Sequence, residues 1–175
     1  MRRGIIICSR YARNANSLNQ SPMNKNIEIR FKKLSPDAQT PSRANATDAG
    51  FDLFAISMKW DAEQTYIEYG TGIAVEIPIG HVGYIFQRSS VSNVQQYLSN
   101  AVGVVDSGYR GEIRFRFRDC KSVLRRYKVG DRVGQLIIMP IPLVEFVEVA
   151  ELSNSDRGEG GFGSTDKDVM SPKRN

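Results

Sequence analysis

Short runs in which apolar and polar residues alternate are the feature that most constrains this chain. In "EIRFRFR" the apolar residues Ile113, Phe115 and Phe117 are separated by arginines, and "IEIRF" at residues 27–31 repeats the pattern. Alternation with a period of two is typical of a β-strand that buries one face. A helix would need a period near 3.6, which these segments lack. The pattern therefore predicts a protein built from strands.

Several further segments resemble strands and are separated by turns rich in glycine, proline and aspartate. They are "GFDLFA", "YIEYGTGIAVEIP", "HVGYIFQ", "SNAVGVVD", "RVGQLIIMPI" and "LVEFVEVA". Only "SVSNVQQYL" has the composition of a short helix. Many short strands with little helix predict an all-β fold, either a distorted jelly roll or a barrel-like sandwich.

The 175 residues divide into three segments on the basis of composition. Residues 1–26 are basic and lack periodicity, so we expect a disordered extension. Residues 27–152 contain all the strand candidates and form the predicted β domain. Residues 153–175 are rich in glycine and polar residues, and we expect a mobile arm. We expect a cytoplasmic protein, although residues 1–22, with arginines and no acid, also resemble a mitochondrial targeting segment, and Met23 is an alternative start.

Charge and apolar patterning exclude two classes of partner. The net charge is +5, but four of the positive charges are arginines within residues 1–22, which leaves +1 for the remainder. A nearly neutral body predicts no nucleic-acid partner. No apolar run approaches the roughly 20 residues that a membrane-spanning helix needs, so no membrane partner is expected. One histidine and two cysteines are also too few for a zinc site.

The glycines of "DRGEGGFGSTDKD" at residues 156–168 match G-x-G-x-x-G, the fingerprint of a dinucleotide-binding loop. That fingerprint binds pyrophosphate only where it follows a strand and opens a helix. Here too few residues follow to form the helix. The segment is therefore interpreted as a flexible arm.

Two other segments carry groups suited to chemistry on phosphates. "VVDSGYRGEI" predicts a hairpin with Asp106 at its turn, where the carboxylate is either a turn anchor or a general base. "FQRSSVS" contains Arg88, Ser89 and Ser90, whose guanidinium and hydroxyl groups donate hydrogen bonds to phosphate oxygens. A solvated loop has much the same composition, so these residues alone leave both interpretations open.

Five segments taken together, "DAGFDLFA", "QRSS", "NAVGVVDSGYRG", "GDRVGQLI" and "RGEGGFGST", resemble the trimeric deoxyuridine triphosphatase family in content and order. The resemblance covers residues 48–165. It implies a hydrolase that converts dUTP to dUMP and pyrophosphate with Mg²⁺. It also implies a homotrimer with active sites shared between subunits and a C-terminal arm that closes over the nucleotide.

The resemblance also implies a role for individual residues. Asp106 would activate the attacking water, and Asp52 would help to hold Mg²⁺ through water. The expected contacts to uracil and deoxyribose are Asn100, Gly103, Val104, Tyr109 and Phe162. The expected contacts to phosphate are Arg88, Ser89, Ser90, Gln135, Arg157, Gly163, Ser164 and Thr165.

Three residues differ from the family pattern. Gln87 stands where the family has proline, Ser90 where it has glycine, and Gly108 where it commonly has a second aspartate. The last two changes are similar to the deoxycytidine triphosphate deaminases, which share the fold. That reaction needs a glutamate about where Arg116 stands, so the deaminase is an alternative rather than the main prediction. A non-catalytic nucleotide-binding regulator is a second alternative.

Overall fold

The computed structural model describes residues 26–120 and 125–161. Within these ranges there are ten strands and one 3-10 helix, Ser89–Asn93, and no α-helix. The strands are β1 (Arg30–Lys33), β2 (Phe51–Phe54), β3 (Ser57–Trp60), β4 (Ile67–Gly70), β5 (Ile73–Glu76), β6 (His81–Phe86), β7 (Gln96–Leu98), β8 (Gly103–Val105), β9 (Arg114–Asp119) and β10 (Arg132–Pro140). The all-β prediction is confirmed.

The strands form two four-stranded antiparallel sheets and a two-stranded ribbon. We call the sheet with strand order β2-β10-β6-β8 the first sheet and that with order β3-β4-β9-β7 the second sheet. The ribbon pairs β1 with β5. Neither four-stranded sheet closes into a barrel, and their inner faces contribute to one hydrophobic core, as in a jelly-roll sandwich.

The centre of the core lies on the second sheet. Phe115 and Phe117 on β9 are fully buried, as their alternation with arginines predicts, and they pack with Tyr69 of β4. The Tyr69 ring meets Phe117 edge to face at 5.9 Å, and its hydroxyl donates to the Tyr127 carbonyl at 3.0 Å. Burial raises the pKa of Tyr69 above its ordinary value. Burial of each such side chain contributes about 1.5–3 kcal/mol to the free energy of unfolding.

Three local predictions differ from the structure. "SVSNVQQYL" forms the 3-10 helix and then β7, rather than one helix. "IEIRF" enters a strand only at Arg30, and Ile27 and Phe31 are about half exposed. "LVEFVEVA" at residues 143–150 forms no strand in this chain, and Phe146 is 99% exposed, so that prediction is wrong here.

The described residues 143–161 belong to a second compact unit, with turns at residues 156–159. Phe162, Gly163, Ser164 and Thr165 lie outside the described residues, as do residues 1–25 of the predicted basic extension. In the part of the chain that the structure describes, no helix has the length and apolar character to span a membrane.

Candidate functional site

The hairpin between β8 and β9 presents Asp106 at the surface. The backbone N–H of Tyr109 donates to the Asp106 carbonyl at 3.0 Å, which closes the turn. Val105 is buried, while Asp106 is exposed at the end of β8. Within the described residues its carboxylate makes no hydrogen bond or ion pair. The turn is therefore held by backbone atoms, and the carboxylate is free to act on a ligand.

A cavity of about 570 Å³ lies against this hairpin. It brings together all the described residues that were predicted to contact uracil and deoxyribose, together with Asp106. These lining residues are Asn100, Gly103, Val104, Asp106 and Tyr109. The lack of a side chain at Gly103 lets Ile85 and Asn100 lie close to its backbone. A Cβ there would lie 2.6 Å from Ile85 Cδ1 and 3.1 Å from the side-chain amide nitrogen of Asn100.

Tyr109 is fixed across the hairpin by two neighbours. Its hydroxyl donates to the Glu112 carbonyl at 3.0 Å. Its ring lies over Gly111, where a Cβ would be 2.5 Å from Tyr109 Cζ. The ring is nevertheless about half exposed and lines the cavity. It thus offers a flat apolar surface with little freedom to move.

The wall contributed by the second sheet is a network of opposite charges. Glu68 accepts from Arg116 Nε at 2.8 Å and from Arg114 Nη1 at 3.3 Å. Glu112 accepts from Arg114 Nε at 2.8 Å, and this hydrogen bond raises the pKa of Arg114 above its ordinary value. Arg116 also lies 4.8 Å from the centroid of the Tyr66 ring. The two carboxylates here are already neutralised by arginine.

A second group of predicted residues surrounds Asp52 on β2. Asp52 Oδ1 accepts from Arg88 Nε at 2.8 Å, and Oδ2 accepts from Arg132 Nη1 at 3.1 Å. Arg88 Nη1 also donates to Ser90 Oγ at 3.3 Å. Gln135 is directly opposite Asp52 in the pairing of β10 with β2. Sequence analysis gave Arg132 no role, although it lies in the quoted segment "GDRVGQLI".

Gln87 connects this second group to the strand that leads toward Asn100. Its side-chain oxygen accepts from the Leu98 backbone N–H at 3.2 Å, and its backbone carbonyl accepts from Gln135 Nε2 at 3.3 Å. Proline, which the family pattern has at this position, has no such side-chain acceptor. The glutamine at this position therefore adds a hydrogen bond to Leu98 that a proline could not make.

The two groups lie at opposite ends of paired strands. In the antiparallel register of β6 with β8, Ile85 is opposite Gly103 and Gly83 is opposite Val105. Asp106 thus falls near the level of Val82, whereas Arg88 is six residues further along the chain. At about 3.3 Å per residue, the separation is roughly 20 Å. One chain therefore does not bring Arg88 and Asp106 together.

Arg157 is described within the separate C-terminal unit. Its Nε donates to the Gly160 carbonyl at 2.8 Å, and Gly158 has a φ of 53°, which favours glycine. These contacts fold residues 155–160 into a compact turn.

The described residues form no cluster of three or more histidine, cysteine, aspartate or glutamate side chains that could hold a metal ion. Asp52, the residue predicted to hold Mg²⁺ through water, has each oxygen hydrogen-bonded to an arginine. Mg²⁺ prefers oxygen ligands and usually retains several waters. A carboxylate placed between two cations does not match that preference, and so this residue does not fit the predicted metal.

Comparison with known proteins gives a consistent result. The family model described as dUTPase matches residues 36–166. The deoxyuridine 5'-triphosphate nucleotidohydrolase of Rhodococcus erythropolis is 38% identical over 149 residues, which is 82% of this chain and 88% of that protein. The corresponding protein of Corynebacterium efficiens is 41% identical over 140 residues, 78% of this chain and 77% of that protein.

Solved structures agree with these sequence relatives. The Staphylococcus bacteriophage 80alpha dUTPase with dUpNHpp superposes with a TM-score of 0.68 at 30% identity, covering 78% of this chain and 97% of that chain. The structure of a dUTPase variant from phage phi11 of S. aureus, which describes the coordination of a structural Mg(II) ion, superposes with a TM-score of 0.61 at 25% identity. It covers 71% of this chain and 98% of that one.

Proposed function

The chain belongs to the dUTPase family, and on that premise we propose that it hydrolyses dUTP to dUMP and pyrophosphate. The observation that supports this most directly is the free carboxylate of Asp106 at the edge of the hairpin cavity. In the proposed reaction the oxygen of a water attacks the α-phosphorus while Asp106 accepts the proton of that water. The bond from the α-phosphorus to the oxygen that bridges it to the β-phosphorus breaks, and pyrophosphate leaves with that oxygen.

The hairpin cavity is the proposed site for the nucleoside. Asn100 and the backbone near Gly103 and Val104 bind the uracil edge, because amide and peptide groups can donate and accept hydrogen bonds there. The Tyr109 ring packs beneath deoxyribose. Phe162 of the arm is proposed to stack on uracil. With the base at Gly103 and the attacked phosphorus at Asp106, the nucleotide lies along β8.

The phosphate-binding residues are proposed to come from a neighbouring subunit. A nucleotide that runs from Gly103 to Asp106 runs away from Arg88 of the same chain. The separation of roughly 20 Å between Arg88 and Asp106 exceeds the reach of a triphosphate. We therefore propose a homotrimer in which each site combines Asp106 of one subunit with Arg88, Ser89, Ser90 and Gln135 of another. The arm residues Arg157, Gly163, Ser164 and Thr165 close over the phosphates.

Magnesium is proposed to accompany the triphosphate rather than to reside in the protein. Mg²⁺ is commonly bound through substrate phosphates and water, and when bound it neutralises phosphate charge. The described residues provide no cluster that would retain the metal alone. The contribution of this chain is hydrogen-bond donors for phosphate oxygens and a carboxylate for the water.

The contacts of Arg116 weigh against the deaminase alternative. This guanidinium occupies the expected place of the acid–base glutamate, and arginine cannot exchange protons at neutral pH. Glu68 lies nearby, but both its oxygens accept hydrogen bonds from arginines. Neither residue is suited to proton transfer on a cytosine ring.

Replacement of Asp106 tests the proposed reaction. Asp106→Asn keeps the shape but loses the base, so dUTP turnover should fall at least about 100-fold while dUpNHpp still binds. The matched control is Asp37→Asn, which alters another exposed aspartate away from the cavity and should leave turnover unchanged. Pyrophosphate release from dUTP and ammonia release from dCTP should be measured on all three proteins.

Each alternative predicts a different result in these assays. Near-normal turnover in Asp106→Asn would remove Asp106 from the mechanism. Ammonia release from dCTP by the unmodified protein would favour the deaminase. Binding of dUpNHpp without turnover of either nucleotide would favour the regulator.

A further inference from the structure

Asp52 is enclosed by positive charge from two different parts of the chain. Only 12% of its side chain is exposed, and each carboxylate oxygen accepts a hydrogen bond from a different arginine. The partners are 36 and 80 residues away in sequence. Its backbone is fixed as well, since the Asp52 N–H donates to the Ser42 carbonyl at 2.7 Å. The carboxylate is thus a rigid anchor.

The guanidinium of Arg88 is held from two directions. Nε donates to Asp52 at 2.8 Å, and Nη1 donates to Ser90 Oγ at 3.3 Å. Nη2 has no hydrogen bond within the described residues. A planar guanidinium fixed along one edge presents its remaining donors in a defined direction, which suits recognition of a phosphate oxygen. The orientation of Arg88 therefore depends on Asp52 and Ser90.

Arg132 completes the arrangement, although it is not among the residues predicted to contact phosphate. Nη1 donates to the second oxygen of Asp52 at 3.1 Å, and the guanidinium lies 5.9 Å from the Phe54 ring centroid. It keeps Asp52 from turning away from Arg88 and offsets part of the charge that burial would otherwise disfavour.

We propose that Asp52 and Arg132 are positioning residues that hold Arg88 for the phosphate chain, and that Asp52 does not bind magnesium through water. This inference rests on the proposed function, because it assigns Arg88 to the triphosphate of dUTP. A divalent cation beside Asp52 would also lie beside two guanidinium groups, and repulsion between like charges opposes that placement. Asp52 thus acts on the substrate through Arg88.

The chain offers a matched control pair. Asp119 accepts from Arg126 Nε at 2.8 Å, and Arg126 lies 5.5 Å from the Trp60 ring centroid. Like Asp52, Asp119 is largely buried, with 19% of its side chain exposed. This pair lies outside both groups of proposed site residues. It therefore reports the general effect of breaking a buried ion pair between aspartate and arginine.

The test compares Asp52→Asn and Arg132→Lys with Asp119→Asn and Arg126→Lys. We expect Asp52→Asn to raise KM for dUTP and to weaken binding of metal-free dUpNHpp in EDTA, each about tenfold or more. Arg132→Lys should weaken the same binding several-fold, because the lysine ammonium group lies on a shorter side chain than the Arg132 Nη1 that reaches Asp52. The Mg²⁺ concentration that half-activates turnover should not change. The control variants should change none of these quantities.

A variant that lacks Arg88 separates the two roles of Asp52. If Asp52 acts through Arg88, adding Asp52→Asn to Arg88→Met should weaken metal-free binding no further than Arg88→Met alone. If Asp52→Asn weakens metal-free binding by the same factor with and without Arg88, the two residues act independently and the proposal is overturned. So would a raised Mg²⁺ requirement in Asp52→Asn with metal-free binding intact.

Two features keep this test decisive. If Asp52→Asn does not fold, Arg132→Lys carries the test, since Arg132 is about half exposed and keeps its charge; unchanged metal-free binding in Arg132→Lys would then overturn the proposal. Binding of dUpNHpp in EDTA requires no turnover. Failure of the unmodified protein to hydrolyse dUTP would therefore count against the proposed function and not against the positioning roles.

Discussion

Two glycines of one hairpin show how single residues shape the nucleoside cavity. A Cβ at Gly111 would overlap the Tyr109 ring, whereas a Cβ at Gly108 would have no atom within 4 Å. Neither glycine has a positive φ, so alanine introduces no backbone strain at either position. The two positions therefore differ in whether Tyr109 must move.

We expect Gly111→Ala to displace Tyr109 and to reduce the preference for dUTP over UTP. A ring packed beneath deoxyribose leaves a ribose 2′-hydroxyl without a hydrogen-bond partner, which costs about 1–3 kcal/mol, or roughly 5- to 150-fold in kcat/KM. Gly108→Ala should retain that preference. Measurement of kcat/KM with both nucleotides on both variants checks this, and an unchanged ratio in Gly111→Ala would show that Tyr109 does not select the sugar.

At the scale of elements, the side chain of Gln87, directly after β6, forms a hydrogen bond to Leu98 at the end of β7. Gln87 accepts from the Leu98 N–H, so Gln87→Met leaves that donor without a partner. An unsatisfied buried donor costs about 1–3 kcal/mol of the free energy of unfolding. Urea denaturation should show that loss, with Gln64→Met at an exposed turn as the control. Equal stability of Gln87→Met and the unmodified protein would contradict the role of this hydrogen bond.

The elements also show what could be predicted from sequence and why. Strand β9 was predictable because Phe115 and Phe117 alternate with arginines and face one core. Strands β3 and β7 have only four and three residues and lack clear alternation, so no sequence pattern marked them. "LVEFVEVA" has the composition of a strand, yet none of its residues forms a strand in the part of the chain that the structure describes. Apolar composition alone does not create a hydrogen-bonding partner.

The candidate site was predictable in part for a similar reason. Asn100, Gly103, Asp106 and Tyr109 lie within ten residues, and one hairpin brings them to one cavity. The contact of Arg132 with Asp52 joins residues 80 positions apart, and only the pairing of β10 with β2 brings them together. The signal that could have found it was a charged residue inside each of two predicted strands.

At the scale of the whole molecule, the proposed shared site makes activity depend on assembly, because Arg88 and Asp106 of one chain lie far apart. Each proposed site takes Asp106 from one subunit and Arg88 from another. Two chains that are defective at different ends can therefore restore each other, because a mixed trimer can contain a site with both groups intact.

We expect that Asp106→Asn and Arg88→Met chains are inactive separately and recover activity when unfolded and refolded together. Random assembly of equal amounts gives about one quarter of the sites both groups, so about a quarter of the normal activity should return. The Asp106→Asn chain mixed with a chain carrying both substitutions should recover nothing. If the first mixture stays inactive, one chain supplies both groups and the shared-site proposal fails.

The position of β10 has a consequence for how the protein is made. This strand is the last of the ten in the described residues, yet it lies inside the first sheet, between β2 and β6. A ribosome releases β2 about 80 residues before the residues of β10 with which it pairs, so the growing chain carries β2 without its partner in the sheet until β10 has been made. Chaperones that cover exposed apolar segments would therefore be needed most just before β10 emerges.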